Sequence, residues 1–546
     1  MLNLGFIHEA IAEKLGNREC LVFRDRRFTW DDVVDRTRRL ATVLKEYNLG
    51  CFRERRDLLG WQSGQDHLAL YLYNGNEYLE GMLGAFKARV VPFNVNYRYV
   101  EDELLYVLTN ASAKAIIYHS TFAPALDSIR KKLPHLRLLL QVADESDNEL
   151  LSGALDFEAA LKEATPREPE NLSPDDLYML YTGGTTGKPK GVMWRQEDII
   201  AAALLPRNCE PNLNAIVQRA LKGGVRSLPA PPFMHGAAHW IAFNMWHIGG
   251  TVFVQSNTKK LDPEDIWETI EREGITALSI VGNAFATPLI DVFKNRAYNA
   301  TTLRLITTGG AILSSSAKAA FHEILPDVKI LDTLGSSESG TQASQMSEAG
   351  KGAETAKFAI LTDSAILNDS LNDEVKTESG EEGWLARRGN VPLGYLDDPE
   401  KTAQTFPVIN GTRYSIPGDR AVAKVGGEIL LLGRASGTIN TGGEKVFAEE
   451  VEEALKESSE VYDAVVIGMP NERFGQQITA IVRLREGVVS GEEIKNRLSS
   501  FVRTVLASYK APKDYIFVEE VVRSPSGKAD YGWAKQIATD ASGTND

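Results

Sequence analysis

Residues 181–190 read Tyr181-Thr182-Gly183-Gly184-Thr185-Thr186-Gly187-Lys188-Pro189-Lys190, set between the apolar runs 177–180 and 192–194. Three glycines, three threonines and two lysines fall within these ten residues. Glycine lets backbone N–H groups converge on an anion, threonine hydroxyls donate hydrogen bonds, and lysine adds charge, so the loop suits a polyphosphate. A Walker A loop would need glycine at 182 and Ser or Thr at 189, where Thr182 and Pro189 stand. Residues 191–194 read as a second strand and helical spacing begins only near Glu197. The loop therefore closes a β-hairpin, and a helix dipole is not its main source of anion affinity. A plain hairpin turn commonly carries glycine but needs neither three hydroxyls nor two cations.

Outward from this hairpin, short apolar runs at 115–118, 251–255, 275–281, 303–307 and 328–331 end in glycine or polar clusters and alternate with amphipathic stretches. In residues 263–273, for instance, Ile266, Trp267 and Ile270 share one helical face. This rhythm predicts an α/β fold with a large N-terminal body of mixed and parallel sheets plus helices. Pro232-Phe233-Met234-His235-Gly236, Val281-Gly282-Asn283, Thr307-Thr308-Gly309-Gly310 and Asp332-Thr333-Leu334-Gly335-Ser336-Ser337-Glu338 place small and polar groups after predicted strands. Open α/β sheets bind ligands there, and four such loops predict one shared pocket.

Toward the C-terminus the pattern changes to an acidic amphipathic helix over 447–456, strands over 462–468 and 477–484, and a Ser490-Gly491-Glu492-Glu493 capping box opening a further helix. We expect a small mobile α+β domain over 434–546 joined to a 1–433 body, with a hinge where Gly433 and Gly437 free the backbone. The tail 540–546, small and polar, is expected to be disordered.

Composition narrows the function. Against 60 Lys+Arg stand 74 Asp+Glu, a net charge of -14 that repels phosphodiester backbones and anionic lipid heads. Neither nucleic acid nor a membrane surface is an expected partner, and the one dense basic run, Arg53-Glu54-Arg55-Arg56, reads as a solvated loop. Hydrophobic residues at 43% and charged residues at 25% exclude a disordered, collagen-like or coiled-coil chain. Three cysteines, Cys20, Cys51 and Cys209, lack C-x-x-C spacing, which fits a reducing compartment and gives no zinc pattern. With no apolar run of membrane-spanning length and no leader-like N-terminus, the expectation is a cytoplasmic protein without an integral membrane segment. His235 and His239 are four apart, but Gly236 stands where a zinc-protease helix has glutamate, which argues against a metal pair.

The glycine–threonine–lysine loop resembles the signature loop of the adenylate-forming superfamily, which groups acyl-CoA synthetases, adenylation domains of peptide synthetases and luciferases. Further motifs follow in that family's order from about Phe28 to Lys528, and the turns at 433–436 and 439–447 most resemble the branch of acyl-CoA synthetases, the fatty-acid–CoA ligases. The resemblance implies roles residue by residue. Thr182, Gly183, Gly184, Thr185, Thr186, Gly187, Lys188 and Lys190 would hold the triphosphate, with Thr185 among the catalytic groups. Gly309, Gly310, Ala311, Asp332, Thr333, Leu334, Gly335, Ser336 and Ser337 would form the adenine-binding segments, and Glu338, at their end, would be the magnesium ligand. Asp419 and Arg434 would hold the ribose hydroxyls. Gly442, Gly443 and Lys445 belong to the turn that would line the thiol tunnel, and Phe233, His235, Trp240 and Val281 would line the acyl site. Lys528, after Pro525-Ser526-Gly527, would be the adenylation lysine. Leu334 stands where the family commonly has an adenine-stacking aromatic, Ser337 and Pro417 replace threonines, and Gly437 takes the hinge position usually held by Asp or Lys.

The implied partners are ATP, Mg2+, coenzyme A and a small carboxylic acid of the fatty, branched or steroid side-chain type, with a homodimer as a further expectation. A carboxylate repels a thiol and oxide is a poor leaving group; conversion to an acyl adenylate solves both problems. In the implied reaction the acid attacks the α-phosphate, pyrophosphate departs, and the acyl group passes to CoA. Lys528 would act electrostatically, without proton transfer. Two alternatives remain open at this level: a carrier-protein phosphopantetheine as acceptor, or a catalytically silent nucleotide-binding protein.

Overall fold

The apolar runs become sheet cores because β-branched and aromatic side chains pack on both faces of parallel strands. The computed structural model describes residues 2–182, 188–206, 209–351, 354–376, 378–434, 437–441, 444–471, 475–524 and 527–542, apart from the side chains of Lys445 and Ser542. One parallel sheet runs in the order Val91–Asn94, His67–Tyr71, Ala115–His119, Leu138–Val142, Leu155–Asp156. A larger sheet has a parallel half, Glu19–Phe23, Thr251–Val254, Arg226–Pro229, Ala277–Ile280, Leu305–Gly309 and Lys329–Ser336. It turns antiparallel at Gly340–Ser347 and continues through Lys357–Ile360, Glu428–Arg434 and Asp419–Lys424. Between the two lies a three-stranded sheet in which Leu177–Thr182 pairs with Lys190–Arg195, and that strand with Gly394–Tyr395.

The body is an α/β structure of mixed and parallel sheets packed with helices, and a smaller α+β unit follows it. That unit is built on Thr438–Thr441, Glu444–Phe447, Val461–Asn471, Gly475–Leu484 and Asp514–Phe517. It has its own apolar core around Val451, Leu455, Val466, Ile478 and Leu498. In the body, Trp30, Trp194, Trp246 and Trp267 are fully buried, each contributing on the order of 2–3 kcal/mol in area removed from water.

Local chemistry sets the element ends. Helix Pro263–Glu273 starts with the Asp262 carboxylate accepting from the Asp265 N–H, has Pro in its first turn, and stops at Gly274 with φ +60°. Elsewhere local reading fails. Ser490 does not cap: Gly491 takes the N-cap position of helix Glu492–Val505 without a side-chain bond, which leaves Ser490 outside the helix, one position short of the place where a hydroxyl reaches the third residue's N–H. The strand expected to end at 331 extends to Ser336 because Gly340–Ser347 pairs with it antiparallel from Ile330 onward. Residues 540–542, expected to be disordered, complete helix Tyr531–Ser542, whose Ala534 and Ala538 are buried against Val465 and Ile481; 543–546 lie outside the described residues. Among the described residues no helix is long and apolar enough to cross a membrane.

Candidate active site

The 177–194 hairpin forms in register, with Thr182 opposite Lys190 and all of residues 177–181 buried. Asn94 fixes its open end: the side-chain amide donates to the carbonyls of Tyr181 and Met234 at 2.8 Å each, and its oxygen accepts from the Tyr181 N–H at 2.8 Å. Asn74 likewise donates to the Pro231 carbonyl and accepts from the Phe233 N–H. These two asparagines tie the 177–194 hairpin and the 231–235 loop to one parallel sheet; neither sits in a motif that a single sequence reveals. Gly183, Gly184, Thr185, Thr186 and Gly187 lie outside the described residues. Of the loop's lysines, Lys188 places its ammonium 4.7 Å from the centre of the Tyr106 ring and Lys190 pairs with Asp398.

His235 ends the 231–235 loop and begins helix Gly236–Trp246. Burial, and then the nearby positive charge of Lys528, push its pKa down to about 3, so the ring is neutral; its Nε2 is sealed from solvent and has no partner among the described residues. One turn on, His239 is also neutral, its pKa lowered to about 4 by burial. Its Nδ1–H donates to the Phe233 carbonyl at 2.7 Å, its Nε2 accepts from the Tyr178 hydroxyl, and the Trp240 indole N–H donates to the Tyr178 oxygen at 2.6 Å. This chain uses every donor once and fixes the Trp240 indole across Gly236, where a Cβ would meet the ring at 3.2 Å. Phe233 lies behind this wall, fully buried against Tyr78. Neither histidine belongs to a metal cluster: among the described residues no group of three or more His, Cys, Asp or Glu could hold a metal ion.

Farther along the parallel sheet, Gly309 ends the Leu305–Gly309 strand and Gly310 follows with φ +83°, leading into Ala311. Thr333, Leu334, Gly335 and Ser336 lie in the adjacent strand, where Thr333 donates to the Thr308 carbonyl at 2.8 Å and Leu334 packs toward Ala343 and Ile429. Asp332 forms a 2.9 Å ion pair with Lys318, both side chains almost wholly buried, and burial holds its carboxyl above the usual range. The turn after this strand is anchored on three sides. Trp194 donates to the Ser337 carbonyl at 2.9 Å, Ser415 to the Glu338 carbonyl at 2.5 Å, and the Tyr395 hydroxyl to Glu338 Oε1 at 3.1 Å. Arg434 donates to Asp419 at 3.2 Å.

Lys528 arrives from the C-terminal unit. Its turn closes through Ser524 N–H to the Lys528 carbonyl at 2.9 Å, and Gly527, with φ +74°, lets it approach the body, since a Cβ there would meet Ala284 at 3.1 Å and Val281 at 3.4 Å. Arg98 of the body donates to the Arg523 carbonyl at 3.2 Å. Lys528 is an exposed residue by surface area, yet many protein atoms surround its ammonium. This desolvation, then the like charge of Arg434, lowers its pKa, while Glu338 and Asp419 oppose the shift. Lys528 thus lies within electrostatic reach of Glu338, Asp419, Arg434 and His235 at the seam of the two units. Gly442 and Gly443 lie outside the described residues, as does the Lys445 side chain.

A body of mixed sheets, a smaller α+β unit after it, and Lys528 of that unit coupled to Glu338, Asp419 and Arg434 fit an AMP-binding enzyme. Residues 8–396 match the AMP-binding enzyme family and residues 450–528 match the AMP-binding enzyme C-terminal domain, and the chain belongs to this family. The medium-chain acyl-CoA ligase Mig of Mycobacterium avium is 46% identical over 541 residues, 97% of each chain. The 3-oxocholest-4-en-26-oate–CoA ligase of Rhodococcus rhodochrous is 36% identical over 549 residues, 98% of this chain and 95% of its own. The solved anthranilate CoA ligase AuaEII in complex with anthranoyl-AMP matches the fold with a TM-score of 0.84 at 21% identity, over 99% of this chain and 98% of that one. ATP-bound MatB from Rhodopseudomonas palustris gives 0.80 at 22% identity, covering 99% of both chains. The chain is therefore placed in the acyl-CoA synthetase branch, as an AMP-forming acid–thiol ligase.

Proposed function

We propose that the protein activates a medium- or longer-chain carboxylic acid, of the fatty, branched or steroid side-chain type, as its acyl adenylate and passes the acyl group to coenzyme A. The observation that carries this reading is the meeting of Lys528 with Glu338, Asp419 and Arg434 across the seam. The apolar wall of Trp240 and Val281 beside neutral His235 suits an acyl chain whose carboxylate points toward Lys528. The relatives that act on medium-chain acids and on a steroid acid support the same class of substrate.

A single carboxylate such as Glu338 is sufficient protein ligation for Mg2+, which takes most of its oxygens from phosphate and water, and Tyr395 leaves its second oxygen without a described hydrogen bond. Bound there, the ion would neutralise charge on the departing phosphates. The chain's own groups do the rest. The hairpin loop holds the triphosphate, Asp419 and Arg434 orient the ribose, and Lys528 stabilises charge spreading over the carboxylate and α-phosphate oxygens. The acid is already anionic, so no general base is required. We further propose that the chain divides at 433/434 and that the smaller unit turns after adenylation to admit the thiol.

The test is incubation with ATP, Mg2+, CoA and a panel of aliphatic, aromatic and polycyclic acids. AMP and an acyl-CoA are the expected products with apolar acids. No AMP with any acid would reject the reading, and AMP with transfer only to a carrier protein would replace CoA as acceptor.

A further inference from the structure

The strand that carries Arg434 and the helix Ala448–Lys456 meet at the junction of the two units, and one acidic side chain fills the gap between them. Gly433, at φ +129°, has no side chain, and Glu449 Oε2 lies only 2.6 Å from where its Cβ would stand. Both Glu449 oxygens lie 3.5 Å from the equivalent point on Gly437. Any other residue at 433 would displace the carboxyl. Oε2 is sealed from solvent and has no hydrogen-bond partner among the described residues.

We propose that Glu449 is a positioning residue: its carboxyl, lodged where Gly433 and Gly437 lack side chains, seats the smaller unit in the arrangement that brings Lys528 to Glu338 and Asp419. The inference rests on the acyl-adenylate reading above and adds to it the element that holds the adenylating arrangement.

The groups around Glu449 give the clasp a pH dependence. From its own helix Glu452 faces it, from the body Asp419 and both the guanidinium and the main-chain N–H of Arg434, and from helix Tyr531–Ser542 the Tyr531 phenol. Burial first, then Glu452, raise its pKa from 4.5 to about 7, against the pull of its own main-chain N–H and that of Arg434. Once the units part, the carboxyl regains water and its ordinary value. The seated arrangement therefore binds a proton that the parted one releases. Its advantage is complete below the ordinary carboxylate range and fades as pH rises through about 7.

The experiment compares the whole chain with Glu449→Gln and Glu449→Ala in two half-reactions, acid-dependent pyrophosphate exchange and thioester formation from a synthetic acyl-AMP, from pH 6 to 8.5. Glutamine keeps the shape without the charge. Between pH 6 and 8, exchange in Glu449→Gln should rise by roughly tenfold relative to the natural chain, with thioester formation unchanged. Alanine should lower exchange at every pH while thioester formation persists. The proposal is overturned if the Gln variant follows the natural pH profile, or if Ala lowers both half-reactions equally. A natural chain that performs neither half-reaction would instead overturn the adenylate reading.

Discussion

The Lys528 side chain crosses the seam between the units and ends beside Gly310, its Cε 4.0 Å from where a Cβ on that glycine would stand. Charge from one unit thus reaches the turn that ends the Leu305–Gly309 strand of the other. Lys528→Ala should lower acid-dependent pyrophosphate exchange by roughly 10²–10³-fold, the cost of one preorganised stabilising group. Thiol transfer from a preformed adenylate should stay within a few-fold of normal. Equal loss in both assays would contradict an adenylation-specific lysine.

Glu338 is held by Tyr395 and, through its main chain, by Ser415. Glu338→Gln keeps these anchors and removes the charge, so the Mg2+ concentration needed for half-maximal exchange should rise by about an order of magnitude. An unaltered Mg2+ titration would remove Glu338 from the metal site.

The hairpin was legible because its composition is local: an anion loop needs glycines, hydroxyls and cations within a few residues, and they stand side by side from Thr182 to Lys190. The parallel α/β rhythm was legible for the same reason. What escaped is non-local. Nothing adjacent to Asn94 marks it as the clamp on Tyr181 and Met234, and nothing at Asp332 announces that its carboxylate pairs with buried Lys318. The motif places Asp332 in a nucleotide-binding segment; its neighbours give that side chain an ion pair inside the body. At Ser490 the local signal was present, but Gly491, at φ +155°, took the cap position.

That buried pair yields a stability prediction. Lys318→Met leaves the Asp332 carboxylate without its counter-ion and should destabilise the body by about 3–5 kcal/mol, read as a lowered urea midpoint. Adding Asp332→Leu should recover much of the loss, because two apolar groups need no counter-charge. A double variant as unstable as the single one would show that the pair is more than mutual compensation.

Tyr178 serves two partners at once, donating to His239 and accepting from Trp240. Tyr178→Phe leaves both ring nitrogens without it, at about 1–3 kcal/mol for the buried polar atoms. With the indole released, the KM for an apolar acid should rise several-fold while kcat for exchange changes little. Because His239, with a pKa of about 4, stays neutral, the KM should be flat between pH 6 and 8. A KM unaffected by the substitution would place the indole away from the acyl chain.

The alkaline limb of adenylation tests Lys528 by a property that shape alone does not give. In the proposed role Lys528 acts only as a cation, so exchange should fall as pH rises through its pKa. Desolvation in the seam and the like charge of Arg434 hold that value below the ordinary 10.5. The limb should therefore appear at lower pH than for a solvated lysine. Arginine stays protonated throughout this range, so Lys528→Arg, though slower because its planar head fits a lysine site poorly, should lose the alkaline limb. Arg434→Ala removes a neighbouring positive charge and should move the limb upward in the natural Lys528 background, whatever it costs in the proposed ribose contact. The paired shifts separate a titrating ammonium from a general alkaline loss of structure, which would move all three profiles together.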